Sequence, residues 1–207
     1  STAAFKRAVE HGYGIELDVQ LSKDKVIMVF HDNTLRRMCG IGKNLNEFTA
    51  EELGGIPLMG TDYKIPTFDE VLSIVDGRVP MLIELKGADS NTELCDYVCK
   101  RLDNYKGAFC IESFNPLLIR KIKKLRPDFI RGQLVTNLMR DKWDGKWYLA
   151  FAMSNLLLNV LSRPDFIAFN KVYRRCFSVF VLSNIFRTPS FVWTIKELDE
   201  HKFFGGK

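Results

Sequence analysis

The chain has 207 residues, 46% hydrophobic and 27% charged, which is the range of one folded domain with a sizeable core and argues against disorder. Its net charge of +5 comes from scattered lysines and arginines, so it gives no nucleic-acid footprint and suits an anionic small molecule or an anionic membrane surface without requiring either. Five cysteines (Cys39, Cys95, Cys99, Cys110, Cys176), odd in number and lacking a Cys-x-x-Cys pair, argue against a disulfide framework or structural zinc and favour a reducing, cytoplasmic setting.

Ser1 to Phe5 turns polar at once and carries no signal-peptide pattern. Phe5, Ala8 and Val9 among Lys6, Arg7 and Glu10 read as a helix already under way, ended by Gly12 and Gly14. Ile15 to Leu21 follows as a strand, Ser22 to Lys25 as a polar turn and Val26 to Phe30 as a second strand. Residues 33–66, with Gly40, Gly42, Gly54, Gly55 and Gly60, break the rhythm as a small insertion with one short helix from about Thr49, which reads either as a cap over a site or as a merely decorative loop. Pro80 to Lys86 is a buried strand, Thr92 to Leu102 a helix, Phe109 to Ser113 a strand and Pro116 to Leu125 its helix. Arg120, Lys121, Lys123, Lys124 and Arg126 sit in a helical pattern with Leu118, Ile119, Ile122 and Leu125 and read as a solvated helix face. Arg131 to Val135, Phe166 to Phe169 and Phe191 to Ile195 supply three more strands. Trp147 to Leu161 is the most apolar stretch, yet it is too short and too interrupted by Ser154, Asn155 and Asn159 to span a membrane. It is expected to pack on the barrel, with a lip touching lipid as the alternative. Val179 to Pro189 yields no reading. Strand-then-helix alternation of this kind predicts an α/β fold of the β/α-barrel type as a single domain over 1–207.

Alternation within Ile15-Glu16-Leu17-Asp18-Val19 puts Glu16 and Asp18 on one side and the aliphatic residues on the other. The same arithmetic in Met81-Leu82-Ile83-Glu84-Leu85-Lys86 puts Glu84 with Lys86. Acids crowded in one interior repel one another, and a divalent ion is the simplest remedy. A set with only oxygen donors favours Ca²⁺ or Mg²⁺ over zinc. Lys86 beside that ion would hold a phosphate oxygen; the competing account is a buried salt bridge between Lys86 and one carboxylate. His31, just after the second strand, has the titration range for proton transfer, whereas His11 and His201 read as surface residues.

Gly14-Ile15-Glu16-Leu17-Asp18-Val19, Val29-Phe30-His31-Asp32-Asn33-Thr34-Leu35, Ile65-Pro66-Thr67-Phe68-Asp69-Glu70-Val71-Leu72 and Ile83-Glu84-Leu85-Lys86 resemble, in order and spacing, the glycerophosphodiester phosphodiesterase family. Weaker echoes continue in Glu112-Ser113-Phe114-Asn115, Gly132-Gln133-Leu134 and Val192-Trp193-Thr194-Ile195. The resemblance implies a (βα)8 TIM barrel that hydrolyses glycerophosphodiesters, such as deacylated phospholipids, to glycerol 3-phosphate and an alcohol. It implies that Glu16, Asp18 and Glu84 bind Ca²⁺ or Mg²⁺, that His31 is one of two catalytic histidines, and that Lys86, Phe114, Gln133 and Trp193 contact the substrate.

The family's His-Arg pair on a first strand and its Pro-Glu-Asn before the first helix have no counterpart here, and Phe203 to Lys207 stops before a final strand. The expectation is a barrel lacking its first and last strands and one catalytic histidine, unstable or inactive as this stretch alone. Two other readings stand beside hydrolysis of small diesters: a lipid-directed phosphodiesterase of the lysophospholipase D or sphingomyelinase D type, and an inactive barrel used as a binding module. A two-carboxylate glycosidase fits poorly with Lys86 beside the acids. Peripheral membrane contact is compatible with the sequence, and the oligomeric state is left open.

Overall fold

The computed structural model describes residues 1–87, 90–136, 138, 146–173 and 176–195. The strands are β1 (Ile15–Leu21), β2 (Ile27–Val29), β3 (Met81–Leu85), β4 (Phe109–Ser113), β5 (Arg131–Val135), β6 (Phe166–Asn170) and β7 (Ser190–Trp193). The helices are α1 (Thr2–Glu10), α2 (Arg36–Cys39), α3 (Ala50–Gly55), α4 (Phe68–Val75), α5 (Glu93–Leu102), α6 (Pro116–Leu125), α7 (Trp147–Ser154), α8 (Asn159–Ser162) and α9 (Phe177–Phe180). Among the described residues one sheet runs β2-β1-β3-β4-β5-β6-β7, with β1 and β3 to β7 parallel and each paired to the next in chain order. Sequential parallel strands joined by helices form the wall of a β/α barrel rather than a doubly wound sheet.

The strand at Val26 to Phe30 is not a further parallel wall strand. β2 turns back antiparallel on β1, with Val19 opposite Val29 and Leu21 opposite Ile27. The reason is the connection: a crossover between parallel strands needs a dozen or more residues, and the five here, Ser22 to Val26, allow only a hairpin. Ser22 N–H donates to the Val26 carbonyl at 2.9 Å, and Lys25 takes φ 66° to close the turn.

Ile15, Leu17 and Val19 of β1, Met81, Ile83 and Leu85 of β3 and Ile111 of β4 pack outward against Phe68, Val71 and Val75 of α4 and Leu94, Val98 and Leu102 of α5. Cys95 and Cys99 share that buried face of α5, and burial pushes their thiols up to about 12 and about 11, so both are inert packing groups. All five cysteines are free thiols. α6 begins on Pro116, is capped by Asn115 accepting from Leu117 N–H at 3.0 Å, and buries Leu118, Ile119 and Ile122. Of its basic residues, Lys121 pairs with Asp96 at 3.1 Å, whereas Arg120 lines the cavity that also takes in Lys86.

Residues 33–66 build their own small core, in which Leu35, Leu45, Leu53, Leu58 and Ile65 close over Met28 and Phe30. Thr49 caps α3 by accepting from Glu52 N–H. Asn33, Asn44 and Asn46 of this insertion line a cavity together with Lys86 and Gly87. The apolar stretch from Trp147 also differs from expectation: Leu156, at φ 57°, splits it into α7 and α8, and much of its apolar surface stays exposed. Val179 to Pro189 completes α9, continues as a π-helical segment Val181–Ile185 and leads into β7. Among the described residues no helix is long and apolar enough to cross a membrane. His11 is exposed, as predicted; His201 and the stretch Phe203 to Lys207 lie outside the described residues.

Candidate active site

Because the aliphatic residues of β1 and β3 point to the helices, Glu16, Asp18 and Glu84 point to the other face. Register then sets them side by side: Asp18 lies opposite Glu84, and Glu84 opposite Glu112. One carboxylate oxygen from each of Glu16, Asp18 and Glu84 lies within 4.8 Å of the others. Lys86, two residues along the same face, places its Nζ 2.8 Å from Asp18 Oδ1 and 2.7 Å from Glu84 Oε1. The salt bridge weighed against a metal site therefore exists, but it leaves the cluster short of positive charge, since among the described residues one ammonium serves two carboxylates while Glu16 and Glu112 pair with none.

That imbalance shows in the titration of the acids. Desolvation, then repulsion from Asp18 and Glu84, raises Glu16 to about 7, even though its side chain opens to solvent on one side. Desolvation, reinforced by Glu84, Glu16 and Asp18, raises Glu112 to about 8. Glu84 is also raised by burial, opposed by Lys86. Burial would lower the Lys86 ammonium, yet its bonds to Asp18 and Glu84 outweigh this and raise it. Glu112 Oε2 is buried without a hydrogen-bond partner among the described residues. Surplus negative charge on oxygen donors, with no sulfur or imidazole in the cluster, fits a hard divalent cation.

His31 reaches this face through the hairpin. Phe30 N–H donates to the Asp18 carbonyl at 3.0 Å, and Gln20 Nε2 ties down the carbonyls of Phe30 (2.7 Å) and Asp32 (2.9 Å). His31 Nδ1 lies 2.7 Å from Asp32 Oδ1, while Arg37 holds the same carboxylate through Nε at 2.7 Å and Nη2 at 2.9 Å. The Arg37 guanidinium, followed by His31, lowers Asp32 to about 2 against the opposing effect of burial. An ionised Asp32 only accepts, so Nδ1 carries the proton and Nε2 is left as the basic atom. His31, Asp32, Asn33, Glu84 and Lys86 line a common cavity of about 770 Å³.

Phe114 lines that cavity as well. Trp193 stands edge-on to Phe114 with ring centroids 6.1 Å apart, so it buttresses the wall from behind. Gln133 is placed elsewhere. Gly132 pairs with Glu112 on the inner face, so the next residue turns to the helix side. There Gln133 is buried, and its Nε2 donates to the carbonyls of Ser113, Phe114 and Leu134 at 3.0 to 3.2 Å. It clamps the ends of β4 and β5 and does not reach the cavity. Sequence reading gave no role to Glu112, Asp32 or Arg37. The alternation argument used on β1 and β3, applied to Phe109 to Ser113, would have found Glu112; only the fold brings Arg37 back onto Asp32.

The family model described as the glycerophosphoryl diester phosphodiesterase family matches residues 1–204. The chain is 34% identical over 153 residues to a glycerophosphodiester phosphodiesterase of Caldanaerobacter subterraneus subsp. tengcongensis, an alignment covering 68% of this chain and 63% of that protein. It is similar to the crystal structure of a glycerophosphodiester phosphodiesterase from Thermotoga maritima, at 26% identity and TM-score 0.74, over 99% of this chain and 83% of that one. In fold it matches an Oleispira antarctica phosphodiesterase solved with the product sn-glycerol-3-phosphate, at 20% identity and TM-score 0.75, over 95% and 78% of the two chains. The matches span 63% and 55% of the lengths of two bacterial relatives. With a match from residue 1 to residue 204 on a TIM-barrel wall, the chain belongs to the glycerophosphoryl diester phosphodiesterase family.

Proposed function

We propose that the protein hydrolyses glycerophosphodiesters to glycerol 3-phosphate and an alcohol, with the aid of a divalent cation, Ca²⁺ or Mg²⁺. The observation that carries this reading is the convergence of Glu16, Asp18 and Glu84 within 4.8 Å beside Lys86, on a face that shares its cavity with His31. Glu16, Asp18 and Glu84 would hold the cation, which, when bound, offsets the charge of the acids and polarises a phosphoryl oxygen. Once the cation relieves it of countering those acids, Lys86 is the fixed positive charge that attracts the diester anion. His31 moves the proton at Nε2, in the tautomer that Asp32 and Arg37 impose. Phe114, backed by Trp193, shapes the cavity wall. The Oleispira antarctica neighbour, solved with sn-glycerol-3-phosphate, supports this substrate class. The free thiols support a reducing, cytoplasmic setting.

The test is release of choline from glycerophosphocholine, with and without chelator, alongside calorimetry of cation binding. Glu16→Gln is expected to abolish cation binding and cation-dependent turnover. His31→Ala is expected to keep cation binding and lose about 10²- to 10⁴-fold in kcat. Turnover indifferent to chelator would overturn the proposal; cation and product binding without turnover would favour a binding module.

A further inference from the structure

α7 is apolar on every side from Trp147 to Met153, a composition kept by helices that are enclosed in protein or meet lipid. Among the described residues nothing encloses it: only Ala150 and Ser154 are buried, while Trp147 and Phe151 are 71% and 49% exposed. α8 packs on α6 and extends the surface with Val160 and Leu161, 76% and 52% exposed. Leu117 and Arg120 of α6, Leu149 of α7 and Leu161 of α8 line one cavity and are all exposed, so the three helices share a rim. A contiguous apolar surface of this kind marks an interaction site.

Charge says what kind of partner fits it. Residues 114–126 and 146–164, which hold the three helices, contain no Asp or Glu. Of the basic residues there, Lys121 and Arg126 are engaged by Asp96, Asp103 and Asp128. Arg120, Lys123, Lys124, Lys146 and Arg163 pair with no carboxylate among the described residues. Leu117, Arg120 and Lys124, three and four residues apart, fall on one stripe of α6. At the start of α7, Lys146 Nζ lies 5.9 Å from the centre of the Tyr148 ring, which meets Trp147 edge-on. Trp and Tyr beside lysine are the side chains that settle where headgroups meet acyl chains, apolar body inward and polar tip outward.

A second copy of the chain would set these positive charges against themselves. An anionic bilayer offers apolar depth and negative charge together. We propose that α6, α7 and α8 dock the protein on the surface of an anionic membrane, Trp147, Phe151, Val160 and Leu161 entering the headgroup boundary and Arg120, Lys124, Lys146 and Arg163 meeting the lipid anions. The bilayer is the docking partner and not the substrate, so the inference goes beyond the proposed reaction and does not depend on it.

The test is co-sedimentation of the protein with vesicles of phosphatidylcholine alone and of phosphatidylcholine with about 30% phosphatidylserine, at low and high salt. Binding is expected on the mixed vesicles, about tenfold or more weaker on phosphatidylcholine alone, and declining as salt screens the cations. Lys124→Gln should weaken it about fivefold and Val160→Asp about tenfold or more, whereas Lys6→Gln on α1 should change it by no more than about twofold. All three positions are exposed, and equal thermal midpoints would show that the variants keep the fold. The salt and lipid dependence of the unaltered protein reads the same surface without any substitution. Equal binding to both kinds of vesicle, or equal losses in Lys124→Gln and Lys6→Gln, would overturn the proposal. So would a lack of vesicle binding: with self-association that Val160→Asp abolishes, the face belongs to a second copy, and without it, to another segment of the chain.

Discussion

His31, Asp32 and Arg37 form a chain in which each member fixes the next. The guanidinium keeps Asp32 ionised, with its pKa at about 2, and the carboxylate then dictates which imidazole nitrogen is bare. Asp32→Asn keeps the shape of the side chain but loses the obligate acceptor, so part of the imidazole population takes the wrong tautomer. We expect kcat for diester hydrolysis to fall by about 10²-fold or more with cation affinity unchanged, as steady-state kinetics paired with calorimetry would show. Equal kcat in the variant would mean that Asp32 is only a surface partner of Arg37. Glu112 works at the same scale in the opposite sense, a buried acid that favours its proton because burial, and then repulsion from Glu84, Glu16 and Asp18, disfavours its charge.

Among the elements, β5 shows how a missing side chain makes room for the interior. Gly132 lies opposite Phe166 in register, and a Cβ built on it would meet the Phe166 ring at 2.1 Å. The ring occupies the space a larger residue would need, next to Leu134 and Ala168 on the inner face of the sheet. Gly132→Ala should destabilise the fold by about 1 to 3 kcal/mol through overpacking, as read from the midpoint of urea denaturation. An unchanged midpoint would show that Phe166 yields without strain. The β1–β2 hairpin matters for a different reason, since it alone carries His31 to the acids on β1 and β3.

At the scale of the whole molecule, the acidic centre ties stability to pH. Glu16 at about 7 and Glu112 at about 8 both stand above their ordinary value of 4.5, so the native state retains protons that the unfolded chain has released. Their contribution is therefore full below about pH 4.5 and is lost as pH rises through 7 to 8. On the proposed function a bound cation would reverse the dependence, because its binding would displace those protons and strengthen as they leave. Thermal unfolding in chelator should give a lower Tm at pH 8.5 than at pH 5.5. Saturating Ca²⁺ or Mg²⁺ should restore Tm most at the higher pH, a hundredfold excess over Kd adding about 2.7 kcal/mol of stability. A Tm in chelator that rises over this range would contradict the protonated state of the acids.

The sequence by itself determined the strands, the longer helices and the inward set Glu16, Asp18, Glu84 and Lys86. A period of two in a buried strand leaves no choice of face, and caps such as Thr49 and Asn115 are local. Tertiary structure decided what depends on distant segments meeting. The hairpin direction of β2, the return of Arg37 to Asp32 and the lineup of Glu112 with Glu84 follow from chain closure and strand register. So does the turning of Gln133 away from the cavity. The break at Leu156 belongs here too, because an apolar stretch carries no periodicity to say which of its sides will be covered.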